Sequence, residues 1–193
     1  MKKTLKLVLL TLCVVLSGCD ADDRYDSPYE CNFLFYTSYH LNSPLTLALG
    51  NPGHFVTVEK KVVNGGIHIV QTTNYGQSED LVISSDKETI PLRYAALGAH
   101  QRLIIGCTEF NGLRAYDGQC SNCLDQLGGL NYPLQWIQIG RKLQCTRCQR
   151  VYDPNADGIP IENAQEGDLA LYQYIVSYNE ERLHVYNGQP GTW

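Results

Sequence analysis

The sequence has no excess of basic residues. Its 15 Lys+Arg face 20 Asp+Glu, a net charge of -5, which excludes a broadly basic nucleic-acid binder. It contains no G-x-S-x-G, no phosphate-cradling glycine loop and no paired catalytic carboxylate motif. The common serine-hydrolase, nucleotide-binding and glycosidase signatures are therefore missing. There is no internal repeat and no low-complexity linker, and beyond residue 16 no apolar run is long enough to cross a bilayer. What is present is ordinary for a globular chain: 193 residues, 44% hydrophobic and 18% charged, which excludes intrinsic disorder and a fibrous repeat. The feature that needs explaining is eight cysteines, too few for a disulfide-dense miniprotein and more than a typical enzyme carries.

Two of those cysteines belong to the N-terminus. Lys2, Lys3 and Lys6 precede the apolar run Leu7 to Leu16, which suits a signal peptide and is too short for a membrane span. The run ends in Leu16-Ser17-Gly18-Cys19. This resembles the bacterial lipoprotein signal, which implies removal of residues 1–18 with Cys13 and lipidation of Cys19. The expected location is the cell envelope, anchored to the membrane by lipid and not spanning it. Residues 19–30 read as a tether, acidic through Asp20, Asp22, Asp23 and Asp26. The signal carries Lys2-Lys3 and no twin-arginine pair, which predicts export as an unfolded chain.

Residues 31–193 are expected to form one all-β domain. Runs of β-branched and aromatic residues occur at 33–39, 54–60, 67–71, 102–105, 113–116, 134–139, 169–177 and 182–186. Turn signals such as Asn51-Pro52-Gly53 and Asn64-Gly65-Gly66 separate them, and Tyr178-Asn179-Glu180-Glu181 reads as a hairpin connection. Thirteen tyrosines suit half-buried pleated surfaces. Only 90–97 looks helical, and it is short.

The chemistry concentrates in Cys120-Ser-Asn-Cys123 and Cys145-Thr-Arg-Cys148. Each C-x2-C can form a knuckle with both thiolates on one side, and two facing knuckles make a closed tetrahedral four-sulfur site. Such a site suits zinc or a single iron and leaves no position for substrate, so it favours a structural or electron-transfer role over hydrolysis. Three occupants stand open: zinc or one iron, an all-cysteine [2Fe-2S] cluster, or two disulfides, because an exported chain meets oxidising conditions. Zinc and disulfides can be added after unfolded export, whereas a cluster built beforehand cannot travel that way. Cys31 and Cys107 are left as buried thiols or as a disulfide joining them. Asp153-Pro-Asn-Ala-Asp157-Gly158 mimics the start of a calcium loop, but Ala164 falls where the last acidic ligand belongs, so it reads as a turn. His54 and His68 have no nucleophile or paired acid at recognisable spacing.

The residues around the cysteines resemble those of Rieske iron–sulfur domains. The likeness rests on Arg102-Leu-Ile-Ile-Gly-Cys107, on Leu113-Arg-Ala-Tyr-Asp117-Gly-Gln-Cys120, on Leu143-Gln-Cys145-Thr-Arg-Cys148 with Val151-Tyr-Asp153, and on the closing runs Leu169 to Val176 and Leu183-His-Val-Tyr186. It implies an antiparallel β barrel or sandwich with an inserted rubredoxin- or zinc-ribbon-like subdomain, here residues 117–153. It also implies electron transfer with a redox partner protein if the metal is iron. Rieske loops supply two Cys and two His. Here Asn122 stands in the first histidine's place and Cys148 in the second's, while Cys123 follows one residue late. A His-ligated centre cannot be built from these residues. The alternative is a structural or binding lipoprotein whose metal or disulfides only brace the inserted loops.

Overall fold

The protein is described here from a computed structural model, which covers residues 27–188. The signal sequence, Cys19 and residues 20–26 of the acidic tether lie outside the described residues. Antiparallel β-structure dominates, in two sheets. Nine strands form the larger one: β1 (Cys31–Phe35), β2 (His54–Val63), β3 (Gly66–Thr73), β4 (Ser78–Ile83), β5 (Ala96–Leu97), β6 (Arg102–Cys107), β7 (Leu113–Asp117), β12 (Gln173–Tyr178) and β13 (Leu183–Tyr186). Their order is β4-β3-β2-β6-β7-β12-β13-β1-β5. The smaller sheet lies between β7 and β12 in the chain. It contains β8 (Leu134–Ile137), β9 (Lys142–Cys145), β10 (Val151–Asp153) and β11 (Ile159–Glu162), in the order β11-β10-β9-β8.

The large sheet wraps a single core. Phe33 and Phe35 of β1, Val56 and Val58 of β2, Ile69 of β3, Leu103 and Ile105 of β6 and Val185 of β13 all bury into it. Strands from both ends of the sheet thus meet on one apolar centre, as alternation along each strand requires when one face is covered. Two short helices seal the open side. α1 (Pro44–Leu49) starts with Ser43 capping Thr46 N at 3.3 Å and Pro44 in the first turn, and buries Leu45, Ala48 and Leu49. α2 (Asp86–Tyr94) follows Ser85, carries Asp86 and Glu88 in its first turn, and packs on β1 and β3. The helix thus begins before the expected 90–97 and stops where Ala96 and Leu97 leave it to pair with β1.

Strand β6 explains how the two sheets join. Leu103 and Ile105 face the large core, while Ile104 between them faces the opposite way into a second cluster with Phe55, Tyr116, Leu134, Leu143 and Tyr152. Leu103-Ile104-Ile105 is therefore a continuous apolar run because both of its faces are covered. The tip of the β8–β9 hairpin is tied to the large sheet by Asn74, whose Nδ2 donates to Gly140 O at 2.9 Å. A side chain at Gly140 would collide with the Asn74 carbonyl, 2.2 Å from a Cβ there, and the residue's φ of +76° also favours glycine. Trp136 Nε1 donates to Thr57 Oγ1 at 3.2 Å across the same seam.

The inserted sheet runs beyond the expected limit at residue 153, because β11 pairs with β10 through Val151↔Glu162 and Asp153↔Ile159. The expected strand over 169–177 starts only at Gln173. Residues before it form a strap over the cysteine loops. The calcium-loop mimic is a turn: Asp153 accepts from Asn155 N at 3.0 Å, and its acids pair with Lys142 and Arg114. Tyr178 and Leu183 are paired across the β12–β13 hairpin, at the place the sequence suggests. Among the described residues no helix is long and apolar enough to cross a membrane.

Candidate metal centre

The two C-x2-C pairs converge. Cys120, Cys123, Cys145 and Cys148 have all their sulfurs within 4.8 Å of one another, three of the residues buried and Cys148 half-buried. Two pairs that run between the loops, Cys120 to Cys148 and Cys123 to Cys145, are each 3.7 Å apart. Four cysteines so placed could hold a metal ion, and thiolate is the donor that zinc and iron accept. None of the six described cysteines is in a disulfide, so neither the paired-disulfide arrangement nor a Cys31–Cys107 bridge is formed in this structure. Cys31 is buried on β1 and donates to Val185 O at 3.5 Å, and its thiol is pushed up mainly by burial. Cys107 closes β6, opposite His54 of β2.

Different local structures present the two pairs. Cys120 is the residue before α3 (Ser121–Leu127), and Leu124 N donates to its carbonyl at 3.0 Å. Cys123 lies one turn on, so a helical start, in place of the expected knuckle, brings both sulfurs to one face. The second pair is a hairpin knuckle between β9 and β10. Gln149 N donates to Cys145 O at 3.0 Å, and Arg147 N points at Cys145 Sγ from 3.4 Å. The sulfurs share charge unequally. Cys145 is drawn down to about 5 by a hydrogen bond from the Cys120 thiol and by nearby N–H groups. Cys123 is pushed up to about 12, chiefly by burial.

A polar layer fixes this arrangement. Asn122 is fully buried. Its Nδ2 donates to Leu169 O at 2.8 Å and to the Tyr152 hydroxyl at 2.9 Å, and its Oδ1 accepts from Leu169 N at 2.9 Å. The Tyr152 oxygen accepts from Asn122, so its own proton is free to point at Cys120 Sγ, 3.1 Å away. Burial and the adjacent sulfur hold that phenol well above its usual range, so it keeps its proton. Ser121 Oγ donates to Ala170 O at 2.7 Å. Arg150 forms a two-point pair with Asp168 at 2.7 and 2.8 Å. The strap 163–171 is thus clamped over the cysteine loops from both sides.

Asn122 is therefore a clasp and not a ligand. Tyr152, Arg150 and Asp168 were not singled out in the sequence as part of the site. A tyrosine and an arginine within a few residues of Cys148 were the available signal, but Asp168 and Leu169 are brought in only by the chain's return. The histidines stay outside the centre: His54 packs edge-on to Tyr75, and His68 pairs with Asp80 across β3 and β4. No protein-family model matches the chain, and no curated protein matches it.

Proposed function

We propose that the protein is a lipid-anchored envelope protein whose Rieske-like β domain carries one metal ion, zinc or a single iron, on Cys120, Cys123, Cys145 and Cys148. The observation that carries this reading is the size of the sulfur cage. A tetrahedral site with metal–sulfur bonds of about 2.3 Å has sulfur–sulfur edges of about 3.8 Å; here two pairs are 3.7 Å apart and all four sulfurs lie within 4.8 Å of one another. A [2Fe-2S] cluster divides its four ligands between two irons and spreads the two pairs beyond the edges of one tetrahedron. The compact cage therefore favours a single ion over the cluster. Four thiolates close the coordination, so the ion would brace the loops or carry an electron and would not activate water.

If the ion is iron, Cys148 is the corner where a redox partner would approach. It is the least buried of the four and borders a polar recess with Gln126, Gln149, Asn163 and Gln165. The non-redox reading rests on the clasp: Asn122, Ser121 and Arg150 all use the centre to hold the strap. Metal analysis and a visible spectrum of the purified full chain test the proposal. One zinc in colourless protein supports the bracing role, and one iron with thiolate-to-iron absorption supports electron transfer. Two irons with labile sulfide, or metal-free protein whose thiols are oxidised, overturn it. The anchor is tested separately: Cys19→Ser should move the protein from the membrane to the soluble fraction.

A further inference from the structure

A cavity of about 470 Å³ opens at the rim of the large core, between α1 and the strands β2, β3 and β4. Its volume falls in the range of small-ligand sites. The accessible part of one wall is Pro44 and Leu47 of α1, and that of the other is Thr73 and Glu79 of the sheet. Strand register shows which face Glu79 occupies. Gln71 of β3 lies directly opposite it, and cross-strand partners share a face of the sheet. Gln71 is fully buried, and its Oε1 accepts from Leu45 N of α1 at 2.8 Å. Glu79 therefore stands on the face that α1 covers, at the sheet's free edge. Its neighbour Asp80 stands on the opposite face and pairs there with His68 at 3.0 Å.

The chemistry of the lining is one-sided. Glu79 is its single carboxylate, and no lysine or arginine borders the cavity. Glu79 is exposed, and among the described residues its side chain has no hydrogen bond or ion pair. The one imidazole, His54, is engaged elsewhere: its Nδ1 lies 3.2 Å from Pro52 O and its ring meets Tyr75 edge-on. Leu47 keeps 52% of its surface in solvent although it sits mid-helix beside the core. An unneutralised carboxylate thus faces exposed apolar surface across one cleft, which complements a cation that carries an apolar body. Asn42 and Gln77 on the rim are exposed and hold amide oxygens that can accept further N–H groups.

We propose that this cavity binds a small organic ammonium ion with an apolar body. The ammonium donates to the Glu79 carboxylate, a charge-assisted hydrogen bond, and the body lies against Pro44 and Leu47. The inference does not depend on which metal the cysteines hold. Titration of the isotope-labelled full chain, followed by backbone amide NMR shifts, tests it. The probe is 2-phenylethylamine, with 2-phenylethanol, 3-phenylpropionate and methylammonium as comparisons. The amine should saturate one site, with the largest shifts in α1 and β4. It should bind about fivefold more tightly than the alcohol, the upper end for an exposed ion pair, while the carboxylate and methylammonium should not saturate. Glu79→Gln keeps the side chain's size on an exposed edge strand and removes its charge. It should weaken the amine about fivefold and leave the alcohol unchanged. Leu47→Asn, also at an exposed position, should weaken both. Each variant's thermal midpoint is measured alongside, and if one is destabilised the other carries the test. No saturable binding of the amine, shifts centred away from α1 and β4, the carboxylate or methylammonium binding as tightly, or variants that bind as the parent does would each overturn the proposal.

Discussion

Inside the large sheet, the core is built from valine, isoleucine, leucine and phenylalanine side chains drawn from both ends of the sheet. Beneath the small sheet, the core contains three of the four cysteines and takes Phe55, Ile104 and Tyr116 from the outer face of the large one. The first needs only apolar burial, at roughly 25 cal/mol per Å². The second has too few aliphatic residues of its own and is held instead by the sulfur cage, the Asn122 clasp and the Arg150–Asp168 pair. The contrast shows two ways of fixing a backbone in one molecule. A wide apolar surface tolerates local change, whereas a small one depends on a few bonds of high individual worth.

On the proposed metal reading, removing the ion should have the largest effect, because binding at structural four-thiolate sites is worth on the order of 10 kcal/mol. Cys145→Ser or a strong chelator should abolish hydrogen-exchange protection in β8, β9 and β10 while β2, β3 and β6 retain most of theirs. Equal loss in both sheets would break the comparison and show one cooperative unit.

The joint between the regions should titrate. Asp117 ends β7 and is fully buried, accepting from Ala99 N at 2.8 Å, Gln119 N at 2.9 Å and the Tyr174 hydroxyl at 2.7 Å. Burial raises its carboxyl to about 7 despite those donors. Between about pH 4 and 7 the folded chain keeps a proton that the unfolded chain has released. This group's contribution to stability is thus complete at low pH and declines as pH rises, by up to about 1.4 kcal/mol per unit. Asp117→Asn should flatten that slope in urea melts taken across the window; an unchanged slope would place the titration elsewhere.

Neighbours on β6 separate the two cores most finely. Leu103→Ala and Ile104→Ala each delete a fully buried side chain and should each cost about 3 kcal/mol in chemical denaturation. Only Ile104→Ala, which faces the cysteine core, should also weaken metal retention in a competition assay. Equal metal affinity in the two variants would mean that the subdomain does not lean on the large sheet.

Several parts of this architecture are readable along the chain. The β-branched and aromatic runs of β2 and β3, the apolar run of β6 and the turn at Asn64-Gly65 all mark strands, and the twin C-x2-C pairs mark the centre. Strand β4 escapes notice because it is an edge strand, exposed over most of Ser78–Ile83 and lacking a clean alternation. Helix α3 escapes because its first turn sits inside the Cys120–Cys123 spacing, where a knuckle and a helical start place the same residues. Asn122 reads as a lost ligand. Its partner Leu169 is 47 positions away, so its role as a clasp is invisible until the chain returns.

By itself the sequence determined the β class and the four candidate ligands. These follow from residue type and local spacing, which act over a few positions. Only the tertiary structure decided which sulfurs face each other, that Asn122 supports the centre from outside, and that Glu79 and α1 border one cavity. Each of those depends on where distant segments meet, and that is set by the burial of both faces of β6 and its neighbours, not by any local pattern.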